Sequence, residues 1–192
     1  MMLALDSAVA RILAALDARS MTQRTLMIFT SDNGGKQYSN MAGLTRGKGH
    51  VWEGGIRVPA FVRWPNILPA GVTSAQVATT LDWTATMLAV AGAAPPAALP
   101  LDGTDLLPHL AAGVLRDRTI FWRMGRARQG AVRRGIWKYL RDGEDEHLFD
   151  LSLDPGERRD LKSERRDRFE ELRAAYADWD KQMLPPLERS GS

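Results

Sequence analysis

Residues 31 to 55 constrain this chain more than any other stretch, because they carry seven glycines and no regular hydrophobic period. A segment so rich in glycine reads as one long loop. Loops beyond roughly 12 to 15 residues are uncommon in compact domains, and those that occur tend to be functional or disordered. The flanks must therefore supply the fold. Before the loop, Leu5, Val9, Ile12 and Leu16 follow spacings of four, three and four, which is one face of a helix over residues 4 to 18. A polar break at Ser20, Thr22 and Gln23 leads into Thr25 to Thr30, a short apolar run that reads as a buried strand. Helix followed by buried strand predicts an α/β layer with a mostly parallel sheet.

After the loop, IRVPAFVRWP (56 to 65) resumes an extended pattern, with Pro59 arguing against a central, fully paired strand. Residues 76 to 92 are predicted helical, with Val77, Leu81, Thr84, Leu88 and Ala91 along one side and Gly92 at the C-terminal end. A Pro/Ala-rich connector and a short helical piece in DGTDLLPHL follow. From residue 116 the pattern changes to short strands, RTIFWRM, QGAVRRGIWKYLRD and EHLFDLSLDP, whose closeness in sequence predicts an antiparallel meander. Phe169, Leu172, Tyr176, Trp179 and Met183 then mark an amphipathic helix over 164 to 183. Two lobes are expected: residues 1–115 as an α/β domain and 116–192 as a small α+β subdomain, the antiparallel sheet packed with the helix.

Composition narrows the chemistry. The chain has 192 residues, is 44% hydrophobic and 26% charged, and contains no cysteine, which excludes disulfides, zinc thiolates and a Cys nucleophile. Its three histidines, His50, His109 and His147, lack the H-x-x-x-H spacing of a zinc hydrolase. No apolar run approaches the roughly 20 residues of a membrane span. The N-terminal MMLALDSAVARIL reads as an amphipathic helix and not as a signal peptide. A pI near 9.5 invites a nucleic-acid partner. Yet the net charge is only +3, and within the basic stretch 116 to 141 the run AVRRGIWKYL alternates as a half-exposed antiparallel strand does, polar out and apolar in. The acidic run 144 to 146 follows it directly, so neither nucleic acid nor membrane is an expected partner.

The loop holds the candidate chemistry. Asp32 and Asn33 follow the first strand in SDNGG. They suit either an ordinary turn or hard-oxygen ligation of Ca²⁺ or Mg²⁺ at the C-terminal end of a strand. Lys48 stands between two glycines in LTRGKGHVWEGG, where it reads as a solvated lysine or as an anion contact, with His50 as a second possible contact. Glu53 and Asp82 invite an acid/base reading, although nothing in the sequence sets their separation.

The order of these pieces resembles the sulfatase family of the alkaline-phosphatase-like superfamily. The matching stretches are ALDSAVARILAAL, TLMIFTSDNGG, LTRGKGHVWEGGIRVPAFVRWP, LDWTATMLAVAG, LDGTDLLPHL, AVRRGIWKYL and LFDLSLDPGERRDL. The wording is most similar to bacterial arylsulfatase and N-acetylgalactosamine-6-sulfatase-like members. The resemblance implies a calcium cofactor with Asp32 and Asn33 as metal ligands, Lys48 as the lysine that binds the substrate's sulfate, and a sulfate ester as substrate. It implies structural roles for Arg57 and the EGG turn. Sulfatases use a formylglycine made from Cys or Ser in a C/S-x-P-x-R motif, which this chain lacks. Met1 enters the family pattern at the helix before SDNGG, so roughly the first half of the fold, with the nucleophile and the other metal ligands, is expected to lie outside these residues. Two functions follow: a portion of a sulfatase that is inactive by itself, or a stand-alone non-catalytic remnant or binding module.

Overall fold

The computed structural model describes residues 2–36, 38–125 and 128–185. The chain divides into two compact units, one of Met1–Thr30 with Ala60–Arg116 and one of Ser31–Pro59 with Asp117–Ser192. The glycine-rich loop therefore belongs with the C-terminal sheet and not with the strand it leaves.

In the first unit, α1 (Met2–Ala18) is the expected amphipathic helix. A single 3-10 turn (Thr22–Arg24) leads to β1 (Met27–Thr30), which pairs with β2 (Ala60–Arg63). The mixed α/β class holds, but this pair is antiparallel and not parallel, with Thr30 opposite Ala60 and Met27 opposite Arg63. The reason is that the chain leaves at Thr30 and re-enters beside it, which reverses strand direction. Pro59 stands just ahead of β2, where its missing N–H interrupts no ladder.

The helix expected over 76 to 92 is α3 (Thr80–Val90), and it buries a different face from the one its apolar spacing indicates. Leu81 is 54% exposed, whereas Asp82 and Thr86 are buried. The polar pair is buried because it receives backbone. Asp82 closes a capping box with Thr79, accepting its N–H at 2.6 Å, and also accepts the Thr104 N–H at 2.9 Å. Thr86 Oγ1 accepts the Leu106 N–H at 2.9 Å, just before α4 (Leu107–Ala112).

The second unit is a four-stranded antiparallel meander, β3 (Thr119–Met124), β4 (Gln129–Arg134), β5 (Trp137–Asp142) and β6 (Asp145–Asp150), followed by α5 (Arg166–Asp180). Gly135 and Gly143 open its two tight turns at positive φ, which side chains with a Cβ adopt at a cost. On one sheet face, Val132, Tyr139 and Leu148 pack against Phe169, Leu172 and Tyr176 of α5. On the other, Ala131, Leu140, Phe149 and Leu151 pack against Val51 from the long loop. A fully buried aliphatic side chain contributes about 1.5–3 kcal/mol, so both faces hold the sheet. Among the described residues no helix is long and apolar enough to cross a membrane.

Candidate functional site

The two glycine-rich halves of the loop are stitched together through their backbones. The Gly34 N–H donates to the Gly55 carbonyl at 2.8 Å, the Lys48 N–H to the Gly35 carbonyl at 2.8 Å, and the Gly54 N–H to the Thr45 carbonyl at 2.9 Å. Such approach needs glycine. A Cβ on Gly34 would stand 1.7 Å from the Gly54 carbonyl oxygen, and one on Gly54 would stand 2.3 Å from that of Thr45. Gly34 thus packs directly on the EGG turn, while Gly35 closes on Ser39, Gly54 on Thr45 and Gly55 on His50 of the same loop.

This stitching brings Lys48 to the segment that carries Asp32 and Asn33, since its backbone partner is two residues beyond Asn33. Asp32 and Lys48 are exposed and Asn33 is half-buried. Among the described residues none of these three side chains has a hydrogen-bond or ion-pair partner. Two hard-oxygen donors left unpaired at a strand end suit a calcium ion, which takes roughly six to eight oxygens. Two such donors would be only part of the set a calcium ion needs, and among the described residues no group of three or more His, Asp or Glu side chains gathers as a metal site.

The residues just after Lys48 are gripped one by one. Gln129 of β4 accepts the Val51 N–H at 3.0 Å and meets His50 Nδ1 at 3.2 Å. Trp52 Nε1 donates to Asp142 of β5 at 2.9 Å. Glu157 accepts the Glu53 N–H at 2.6 Å. Lys138 of β5, 0% exposed at its side chain, donates to Glu53 at 2.9 Å and to Glu157 at 2.7 Å. Arg57, at the end of the short helix α2 (Glu53–Ile56), lies 3.7 Å from the second Glu53 oxygen.

Burial raises the Glu157 pKa, and Lys138 opposes that rise by charge and by hydrogen bond. Burial also lowers the Arg133 pKa against the pull of Glu53. Glu157 holds φ at 55, a left-handed conformation that costs a non-glycine residue roughly 1–2 kcal/mol. Its carboxylate is held by two partners, the Lys138 ammonium and the Glu53 N–H.

The sequence expectations fare differently. His50 meets Gln129. Glu53 and Asp82, read as an acid/base couple, belong to separate units and are each engaged, Glu53 by Lys138 and Asp82 by its cap. Lys138, expected on the solvent side of its strand, is buried because the loop covers that face. Two other cations of the basic stretch form ion pairs, Arg134 with Glu171 at 2.6 Å and Arg123 with Asp180 at 3.1 Å; Arg126 lies outside the described residues. Tyr176 and Trp179 are core helix residues as read. The sequence reading missed Lys138 and Glu157 as a pair. The sequence signals for Glu157 are its place after the Asp154-Pro155-Gly156 turn and within the family-like stretch LFDLSLDPGERRDL.

Residues 1–93 match the Sulfatase family model. N-acetylgalactosamine-6-sulfatase of Canis lupus familiaris is 34% identical over 192 residues, covering 80% of this chain and 37% of its own length. Steryl-sulfatase of Mus musculus is 33% identical over 211 residues, covering 88% of this chain and 34% of its own. The crystal structure of Ps i-CgsB superposes with a TM-score of 0.91 at 30% identity, covering 97% of this chain and 43% of that one. This chain thus spans little more than a third of the curated relatives it matches.

Proposed function

Because this chain belongs to the sulfatase family, we propose that its loop 31–59 is part of a site that hydrolyses sulfate esters with calcium as cofactor. Asp32 and Asn33 offer two of the metal's oxygen ligands, and Lys48 contacts the sulfate of the substrate. The observation that supports this reading is the hydrogen bond from the Lys48 N–H to the Gly35 carbonyl, which ties the backbone of Lys48 to the segment that carries Asp32 and Asn33. Lys48 neutralises sulfate charge and orients the ester, and its glycine neighbours let the anion approach the backbone. Asp32 and Asn33 hold their oxygens at the strand end. Calcium, when bound, supplies positive charge against the charge that develops on the transferring sulfuryl group.

The family's nucleophile is formylglycine, and these 192 residues contain neither cysteine nor an S-x-P-x-R motif from which to make it. The chain by itself is therefore proposed to bind sulfate without turning an ester over. The test is an aryl sulfate assay of the purified chain with calcium, alongside titration of inorganic sulfate. No phenol release is expected, with sulfate binding that weakens about tenfold in Lys48→Ala, the scale of one charge-assisted contact. Calcium-dependent phenol release would overturn the inactivity; sulfate affinity untouched by Lys48→Ala would overturn the role of Lys48.

A further inference from the structure

We propose that Lys138, Glu53 and Glu157 form a positioning device that fixes the loop bearing Lys48 against the C-terminal sheet; the proposal rests on Lys48 being the sulfate contact.

Four consecutive residues carry the argument. His50, Val51, Trp52 and Glu53 are each held by a side chain from the C-terminal part of the unit: Gln129 for the first two, Asp142 for Trp52, and Glu157 with Lys138 for Glu53. Lys48 sits two residues upstream, its backbone fixed to Gly35 and its side chain exposed. The loop is thus held on both sides of Lys48 while the ammonium stays free for an anion. A lysine on an unfixed loop would lose more freedom on binding, and prior ordering removes that cost.

Within this grip the buried group is the part that fails as a unit. Glu157 binds Lys138 through one carboxylate oxygen and the Glu53 N–H through the other. It therefore holds both the partner of the Glu53 side chain and the Glu53 backbone. Without the Lys138 ammonium, two carboxylates would face each other in a buried site, a strongly unfavourable arrangement. Nothing in the proposed chemistry uses these charges, so Lys138 acts through the loop and touches no substrate.

The experiment follows amide hydrogen exchange and inorganic sulfate affinity in the full chain, for Lys138→Met, Glu157→Gln and Lys48→Ala. In Lys138→Met the amides of Gly34, Lys48 and Gly54 are expected to exchange at least about tenfold faster, while strand amides of β4 and β5 change less than about threefold, because local opening is separable from global unfolding. Sulfate affinity should fall about as far as in Lys48→Ala. If Lys138→Met does not fold, Glu157→Gln decides. Its amide NH₂ cannot accept, so one of the two bonds is lost, and about threefold faster loop exchange is expected. Unchanged loop exchange in a folded variant would overturn the proposal. So would acceleration spread equally over loop and strands, which would make the group a general stability element. Sulfate affinity unmoved by Lys48→Ala would remove Lys48 as the contact, and loop exchange would still report whether the buried group orders the loop.

Discussion

The two units of this molecule differ in how they bury apolar surface. In the unit built on β3–β6 and α5, both sheet faces are covered and two hydrophobic clusters form, with Tyr139, Leu148 and Leu172 in one and Val51, Leu140 and Phe149 in the other. In the unit of α1, the β1–β2 pair, α3 and α4, Leu106 is the one buried hydrophobic side chain among the described residues, and Met2, Leu3, Ile12, Phe61 and Leu81 are exposed. Its α1 has no buried residue and borders an apolar groove lined by Leu5, Val9, Phe29 and Phe61. The candidate site loop is anchored where the core is. Asp32, Asn33 and Lys48, whose side chains have no partner among the described residues, thus stand on a loop ordered by other contacts of the second unit.

The largest expected effect breaks that scaffold. Leu172→Ala removes a 0% exposed side chain from the α5 cluster, and about 3–4 kcal/mol of stability should be lost in urea unfolding. The matched change in the other unit, Ile12→Ala, should cost less than about 1 kcal/mol, because Ile12 is 56% exposed. Equal losses would abolish the contrast. Next is Gly34→Ala, which places a methyl on the Gly54 carbonyl. About 2–3 kcal/mol of overpacking is expected, confined in amide shifts to residues 31–59 and the sheet face below them. Asp82→Ala should remove about 1–2 kcal/mol through the lost cap of α3, seen as reduced helicity with the second unit unaffected.

The smallest effect is a pH dependence. Burial raises the Asp160 pKa, but hydrogen bonds from the Leu148 and Lys162 N–H groups and from His147 outweigh it, leaving it below its ordinary 3.8. A carboxylate with a lowered folded pKa stabilises above its unfolded value and loses that contribution as pH falls through the folded one. Stability should therefore fall as pH drops below the ordinary carboxylate value and through the lowered folded one, and Asp160→Asn should flatten that fall in a denaturation series.

Much of this was legible in sequence because local period decides it. Phe169, Leu172 and Tyr176 are buried on α5 as their three and four spacing predicts. The C-terminal meander is antiparallel as expected, but the stretch QGAVRRGIWKYLRD, one strand candidate in the sequence, turns at Gly135 into β4 and β5, so three candidates become four strands. Period says which residues share a face, however, and not what covers that face. Lys138 shows the limit: it shares a side of β5 with Leu140, so polar and apolar residues are not separated there, and the distant loop buries that side. α3 shows another, since Asp82 and Thr86 are buried by the backbone of residues 104 to 106, which no local pattern encodes. At the site, Asp32, Asn33 and Lys48 stood out through glycine spacing and family resemblance. Glu157 did not, because its partners lie 19 and 104 residues away.

The most direct test of the central claim, that the site loop is ordered by the C-terminal sheet, is residue-resolved hydrogen exchange on the unmodified full chain. The account predicts that the amides of Gly34, Lys48 and Gly54 share the slow exchange of the β4 and β5 amides and respond to urea with them, while those of α1 exchange much faster. Loop amides that exchange as fast as those of α1, while β4 and β5 stay protected, would contradict it.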